Sequence, residues 1–294
     1  MNRGSSGILL VLVSAVSFGF MPIFARLAYS QGVGVDELLF IRFLFAFLIM
    51  GVVLATSRLL TIPKIQDLLI MIGLGALAYF LQSTLYFTSL LYSPVAIVAV
   101  LLYTYPVFVT IGAFTLGWEK ISRRLTAAFI ISVMGLFLVA NPFGNPIGFG
   151  VFLSLGASVT YTIYILSGSK VLRRVRGYVA AFYVMGAASV SFGLFGALTG
   201  SIHLNWNLEG WFWVAMITLV CTVIAMTSFF IGLSRIGPSR AALISLVEPV
   251  TSILASTWIF GNALNDTQWL GGVLILTATA LTTLYGNSES RGVS

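Results

Sequence analysis

Apolar runs of about 20 residues, separated by short polar connections, recur along the whole chain. A helix needs roughly 20 apolar residues to cross a bilayer, where every backbone polar group must be paired internally. Of the 294 residues, 59% are hydrophobic and 8% are charged, whereas a soluble domain has about 25% charged residues. The runs are continuous and do not alternate with polar residues, which excludes a transmembrane β-barrel. We therefore predict an all-α integral membrane protein.

Breaks in hydropathy predict ten transmembrane helices. They cover residues 7–27, 36–56, 65–87, 95–117, 123–141, 147–168, 178–199, 210–232, 238–260 and 267–285. Lys and Arg concentrate in every second connection, at 58–64, 120–124, 170–176 and 235–240, and near both ends, at Arg3 and Arg291. Because cytoplasmic loops carry the excess of Lys and Arg, both termini are predicted to be cytoplasmic. The predicted location is a bacterial inner (plasma) membrane.

The chain also repeats itself at a shift of 143 residues. GILLVLVSAVSFGF begins at Gly7, and GVFLSLGASVTYTI begins at Gly150. TYPVFV at Thr104 matches VEPVTS at Val247, so that Pro106 falls on Pro249. The halves 1–143 and 144–294 then hold five predicted spans each, and the odd number turns the second half over in the membrane. Such inverted-topology repeats place a substrate site near the midplane, between the halves.

With ten spans, two repeats and these matched proline segments, the chain resembles the drug/metabolite transporter superfamily, EamA-type branch. GWEKIS after the first proline segment resembles the Gly-Glu pattern of that family, while Gly261-Asn262 departs from it in the second copy. Within the family, the tyrosine-rich interior looks most like bacterial aromatic amino-acid exporters of the YddG type. The resemblance implies secondary transport of small metabolites, commonly outward, through a cavity surrounded by helices one, three, four, six, eight and nine.

The third predicted span contains YFLQSTLY, an unusually polar stretch for a membrane helix. Tyr79, Gln82, Ser83 and Tyr86 are spaced i, i+3, i+4 and i+7, so they share one helical face. Two explanations remain open: hydrogen bonds between packed helices, or a wet or ligand-filled cavity. Four polar positions on one face favour the cavity, and we predict that these residues bind substrate.

Other spans extend this predicted site. We assign to it Ser17, Tyr103, Ser158, Tyr161, Tyr164 and Thr222. Tyr103 and Tyr105 cannot share a face of one continuous helix, and we expect Tyr103 to point inward. A cavity of phenols, hydroxyls and an amide suits a neutral or zwitterionic solute with an apolar body. A strongly anionic or cationic substrate would require an opposite charge.

Two ionisable residues lie inside predicted spans. Glu248 is near the middle of the ninth, where it could carry a proton in antiport or bond the backbone groups that Pro249 frees. Arg42 is near the outer end of the second, and we expect it to pair with Asp36 or Glu37 or to extend its head towards water. Pro106 and Pro249 are candidate hinges, since proline bends a helix.

The predicted function is export of small neutral or zwitterionic metabolites, chiefly aromatic or large neutral amino acids, by alternating access. The alternative is a proton-coupled efflux carrier for drugs or other metabolites. A membrane enzyme would need a catalytic constellation, and the one histidine, His203, falls in a predicted loop. We expect no cofactor, no metal and no nucleic-acid partner. The expected partners are a small-molecule substrate and membrane lipid, and the oligomeric state stays open.

Overall fold

The computed structural model describes residues 3–92, 101–118, 123–140, 149–260 and 266–289. Throughout these residues the regular secondary structure is helical. The elements are α1 Arg3–Gly19, α2 Met21–Ser30, α3 Val35–Thr56, α4 Ile65–Gly73, the π-helix π1 Leu74–Tyr79, α5 Phe80–Tyr92, α6 Tyr105–Thr115, α7 Arg123–Ala140, α8 Phe149–Val171, α9 Gly177–Thr199, α10 Leu208–Met216, the π-helix π2 Ile217–Ile224, α11 Ala225–Ile236, α12 Pro238–Ile244, α13 Val247–Phe260 and α14 Asp266–Glu289.

Six helical segments of the described chain are long and apolar enough to cross a membrane. They are Gly4–Ser30, Val35–Thr56, Ile65–Ser89, Phe149–Val171, Gly177–Thr199 and Leu208–Ile236. Three shorter apolar helices, Tyr105–Thr115, Thr126–Leu138 and Trp269–Ala278, fall within further predicted spans. These segments confirm a helical membrane protein, while the count of ten spans stays a prediction. Of the residues used above, 119–122 in GWEKIS, Gly261, Asn262 and Arg291 lie outside the described residues.

Two interruptions of the long helices recur in the second half at nearly the same spacing, 143 residues for the π-helix and 142 for the turn. The π-helix π1 begins at Leu74 and π2 begins at Ile217, which is 143 residues later. A turn at residues 103–104 precedes α6, and a turn at 245–246 precedes α13. A π-helix or a break is a local departure that a uniform apolar pattern does not require. These two irregularities are therefore shared by the halves, whereas the break at Phe20 has no counterpart in the continuous helix α8.

Equivalent helices also make equivalent contacts across the two halves. α1 packs on α11, and α8, its counterpart 143 residues later, packs on α5. α3 contacts π2, and α9 contacts π1. α3 and α9 pack on each other, as do α7 and α14. The broken and π-helical segments are thus brought to the junction of the halves, where the largest cluster of buried hydrophobic residues lies.

Candidate functional site

A turn interrupts the helix around Tyr103 and determines which side chains reach the interior. Residues 103–104 form the turn, and α6 begins at Tyr105 with Pro106 in its first turn. Proline fits the first turn of a helix because the amide that it lacks would have no helical partner there. In the second half, α13 likewise begins just before Pro249. Both hinge candidates therefore stand where a new helix starts after a break.

Five tyrosines from the two halves form a continuous series of ring contacts, which we call the tyrosine ladder. The order is Tyr79, Tyr164, Tyr161, Tyr105 and Tyr103, with ring centroids 5.4, 5.8, 4.7 and 6.4 Å apart. Pairs of aromatic rings at 4.5 to 7 Å attract one another through their quadrupoles as well as by burial. Three rings come from residues 79–105 and two from α8, so the ladder joins the halves.

At one end of the ladder lies Glu248. Its Oε2 accepts a hydrogen bond of 3.4 Å from the hydroxyl of Tyr103. The break in α1 is close by, because the hydroxyl of Ser252 donates to the carbonyl of Gly19 at 2.7 Å. A Cβ atom on Gly19 would stand 2.5 Å from Cβ of Thr251, so only glycine allows the end of α1 to approach α13 this closely. Glu248 thus faces the ladder from the start of α13, beside the broken first helix.

At the other end lies Arg42, whose side chain is 2% exposed. Its Nη2 donates to the hydroxyl of Tyr79 at 3.0 Å, and its Nη1 contacts Sδ of Met21 at 3.2 Å. The guanidinium carbon lies 4.5 Å from the ring centroid of Phe43, a cation–π distance. The ladder therefore runs from a buried cation to a partly buried acid.

The other predicted site residues divide into two groups. Ser158 is joined to the ladder region, since its hydroxyl lies 3.1 Å from that of Thr104 in the turn before α6. Gln82 and Ser83 are buried, but Ser83 donates to Gln82 itself at 3.3 Å and neither bonds another helix among the described residues. Tyr86 is partly buried and lies within electrostatic range of Glu248.

Ser17 and Thr222 lie at the contact between α1 and π2. The carbonyl of Ser17 accepts a contact of 3.1 Å from Sγ of Cys221, the residue before Thr222. The hydroxyl of Thr222 donates to the carbonyl of Ile217, five residues earlier, as the wide π turn permits. These two predicted site residues therefore have local structural roles here, and these two contacts do not reach a tyrosine of the ladder.

Two findings differ from the expectations drawn from the sequence. Tyr105 joins the ladder together with Tyr103, because the turn rotates the chain and the rule for one continuous helix no longer applies. Pro106 was the signal for that break. Arg42 bonds Tyr79 and forms no ion pair with Asp36 or Glu37. Tyr79 lies 37 residues away in the sequence, which hid this placement.

Polar contacts join the halves beyond both ends of the ladder. Arg174 donates to Oδ1 of Asp67 from Nε at 3.0 Å and from Nη2, at the end of the bundle predicted to be cytoplasmic. At the opposite end, Glu37 accepts from the backbone amide of His203 and from Nε1 of Trp206, the latter at 3.1 Å. Both contacts therefore join a residue of the first half to a residue of the second.

The ladder consists of phenol side chains, with a guanidinium at one end and a carboxylate at the other. No group of three or more His, Cys, Asp and Glu residues that could hold a metal ion occurs in the part of the chain that the structure describes. The ladder is tightly packed, with Tyr105 1% and Tyr164 2% exposed. A pocket lined by Trp118, Arg173 and Pro238 opens at the predicted cytoplasmic end, away from the ladder.

Comparisons with known proteins agree with this arrangement. A model of the EamA-like transporter family matches residues 5–141 and again 148–284. An uncharacterized transporter of Archaeoglobus fulgidus is 26% identical over 268 residues, 90% of this chain and 92% of that protein. The uncharacterized transporter YcbK of Bacillus subtilis is 27% identical over 284 residues, 92% and 90% of the two chains.

A relative from a further organism and one solved structure complete the comparison. The uncharacterized inner membrane transporter YedA of Escherichia coli is 26% identical over 196 residues, 65% of this chain and 62% of that protein. A crystal structure superposes with a TM-score of 0.82 at 19% identity, covering 96% of this chain and 99% of the other, which shows a common fold. Because the family model matches nearly the whole chain in two copies, the chain belongs to the EamA-like transporter family, a multi-pass family of the drug/metabolite transporter superfamily.

Proposed function

We propose that the chain exports small neutral or zwitterionic metabolites, chiefly aromatic and large neutral amino acids, across the bacterial inner membrane. Ten spans in two inverted repeats, residues 1–143 and 144–294, would carry out alternating access, with both termini in the cytoplasm. The observation that carries the proposal is the tyrosine ladder at the junction of the halves. It offers flat apolar surface with hydroxyl groups, which suits an aromatic or branched solute with a polar end.

The position of the ladder supports alternating access. Rings from both halves meet there, so a relative movement of the halves separates the rings and makes room for a solute between them. The breaks before Pro106 and Pro249 supply points at which each half can bend. The contacts of Asp67 and Glu37 lie on opposite sides of the ladder, so each can open while the other stays closed. In this scheme the substrate replaces ring-to-ring contacts with ring-to-solute contacts.

A second candidate function rests on Glu248. A partly buried acid that accepts from Tyr103 beside a helix break is a group on which a membrane carrier can take up and release a proton. The chain would then be a proton-coupled efflux carrier for drugs or other metabolites. A facilitated exporter needs no such group, so the two functions differ in whether flux responds to a pH gradient.

Counterflow in liposomes tests the first function. The purified protein is reconstituted with unlabelled amino acids inside, and trace labelled phenylalanine is supplied outside without an ion gradient. We expect label to accumulate only when aromatic or large neutral amino acids are inside, because exchange through one carrier site requires both to bind there. If label does not accumulate with any of the amino acids inside, although the protein is folded, the proposal is contradicted. A pH gradient with a broader solute panel then tests the second function.

A pair of tyrosine variants connects that flux to the ladder. Tyr79→Ala removes a ring that contacts Tyr164 at 5.4 Å, and we expect the rate of counterflow to fall at least tenfold. Tyr92→Ala is the matched control, because that ring is 57% exposed at the end of α5 and contacts only Phe149 among described rings. Equal rates for the two variants would remove the ladder from the transport pathway.

A further inference from the structure

Arg42 is buried at depth in a membrane helix without a negative partner. It is the eighth residue of α3, roughly 10 Å along the helix axis from Val35. The two acids near it in sequence do not pair with it, and Glu37 is used by the amides of Gly34 and His203 and by the indole of Trp206. Within the described residues, Arg42 forms no ion pair.

The groups that do contact Arg42 are neutral. They are the phenol oxygen of Tyr79, the thioether sulfur of Met21 and the ring of Phe43. A thioether is a weak acceptor, and an uncharged phenol leaves the positive charge uncompensated. The Nε atom is buried and has no hydrogen-bond partner among the described residues. A buried guanidinium that no described acid neutralises is incomplete as a structural element.

Another arginine of the same chain shows what completes such a group. Arg174 donates from Nε and Nη2 to the carboxylate of Asp67, using the side of the guanidinium where those two atoms lie together. Both bonds end on the single oxygen Oδ1, and they are charge-assisted, as arginine prefers with carboxylates. In Arg42, Nη2 donates to the hydroxyl of Tyr79, and Nε has no partner among the described residues. A carboxylate from outside the chain would fill the position that Asp67 fills for Arg174.

We propose that Arg42 binds the carboxylate of the transported solute, so that the substrates of this chain are apolar or aromatic carboxylates. The inference rests on the proposed function and narrows it, since a neutral solute without a carboxylate would leave the charge of Arg42 uncompensated. Tyr79 joins the two parts of the site: its hydroxyl contacts Arg42 at 3.0 Å, and its ring begins the tyrosine ladder. The carboxylate of the solute lies at Arg42 and its apolar body lies along the rings of Tyr79 and Tyr164.

The first experiment uses the unaltered protein and a series of compounds that differ in the carboxylate. Phenylalanine, its amide, 3-phenylpropionate and phenethylamine are compared for inhibition of phenylalanine counterflow and for thermal stabilisation of the protein in detergent. We expect the two carboxylates to bind about 10- to 100-fold more tightly than the amide and the amine, the usual range for hydrogen bonds to a charged group. Equal binding of phenylalanine and its amide would overturn the inference and leave amino-acid transport standing.

The second experiment assigns that preference to Arg42. Arg42→Gln removes the charge and Arg42→Lys keeps it without the planar fork, so we expect the carboxylate preference to vanish in the first and to weaken in the second. Arg176→Gln is the matched control, because Arg176 also donates to a tyrosine hydroxyl, at 2.8 Å to Tyr178, but at the exposed surface. An undiminished preference in folded Arg42→Gln would overturn the inference.

The two proposals fail in different ways. If 3-phenylpropionate stabilises the protein in an Arg42-dependent manner while no amino acid is exchanged, the carboxylate site stands and the amino-acid assignment falls. If Arg42→Gln does not fold, the compound series on the unaltered protein decides the question alone, because it compares ligands and needs no variant.

Discussion

Replacing Tyr79 by Phe removes one oxygen atom and should cost far more stability than the same change at Tyr161, two rings along the ladder. The ring contacts with Phe43 and Tyr164, at 5.2 and 5.4 Å, need no hydroxyl and persist in the variant. The hydroxyl, however, is the only oxygen that accepts from Arg42 in the described part of the chain. Hydrogen bonds to charged groups contribute about 1.5–3 kcal/mol, and here the donor stays buried when its acceptor is removed.

The matched control is Tyr161→Phe. Tyr161 is the third ring of the ladder, and its hydroxyl makes no hydrogen bond with any described residue. We expect a loss of about 1.5–3 kcal/mol for Tyr79→Phe and below about 0.5 kcal/mol for Tyr161→Phe, which is the scale of changes that break no special contact. For a chain of this size the first value corresponds to a fall of roughly 3–10 °C in Tm.

The assay is thermal unfolding of both variants in one detergent, followed by tryptophan fluorescence. A double-mutant cycle adds Arg42→Met, which removes the donor together with its charge. In that background Tyr79→Phe should cost almost nothing, because there is no longer a buried cation to satisfy. Equal shifts for Tyr79→Phe and Tyr161→Phe, or an unchanged cost in the Arg42→Met background, would refute the assignment of the hydroxyl to the guanidinium.

Three further predictions test other parts of the structure. Arg174→Gln should lower Tm more than Asp67→Asn, because it leaves the carboxylate of Asp67, which is 5% exposed, without its partner. The expected loss is about 1 kcal/mol, because Arg174 is 52% exposed and solvent screens the pair. The reverse order of Tm in thermal unfolding would refute this. Glu248→Gln should abolish uptake driven by a pH gradient and preserve counterflow if Glu248 carries the proton, whereas unchanged pH dependence excludes that role. Gly19→Val should reduce the yield of folded protein, because the nearest side chain of α13 would be 2.5 Å from the new Cβ. Gly73→Ala should leave the yield unchanged, because no atom lies within 4 Å of its new Cβ. Equal yields would show that the contact between α1 and α13 tolerates a side chain.

The sequence predicted the membrane class and the long helices because both depend on hydropathy, which each run of residues carries by itself. It also predicted that Tyr79, Tyr161 and Tyr164 belong to one site, since polar residues at helical spacing must avoid lipid. It did not predict that Tyr103 and Tyr105 both join the ladder. A turn between them changes the direction in which successive side chains point, and hydropathy does not reveal such a turn. Pro106 marked the place, but proline is compatible with either a bend or a new helix start.

The partner of Arg42 could not be predicted for a different reason. Tyr79 is 37 residues away in the chain, and the contact depends on how α3 packs beside the end of π1. Neighbouring acids in the sequence, Asp36 and Glu37, were the simpler expectation, yet Glu37 is held by the amide of His203 and the indole of Trp206. Long-range pairing of polar groups is set by helix packing, which a single sequence does not specify.

The matched π-helices have a mechanical consequence. Each divides a long membrane helix into two stiff rods, Ile65–Gly73 and Phe80–Tyr92 in one half, and Leu208–Met216 and Ala225–Ile236 in the other. Where the i→i+5 turn replaces the regular ladder of hydrogen bonds, a helix resists bending least. Because the two π-helices occupy equivalent positions, both halves should bend at the same place when the halves move. The π-helix of the first half ends at Tyr79, so flexing there moves the residue that links the cation to the rings.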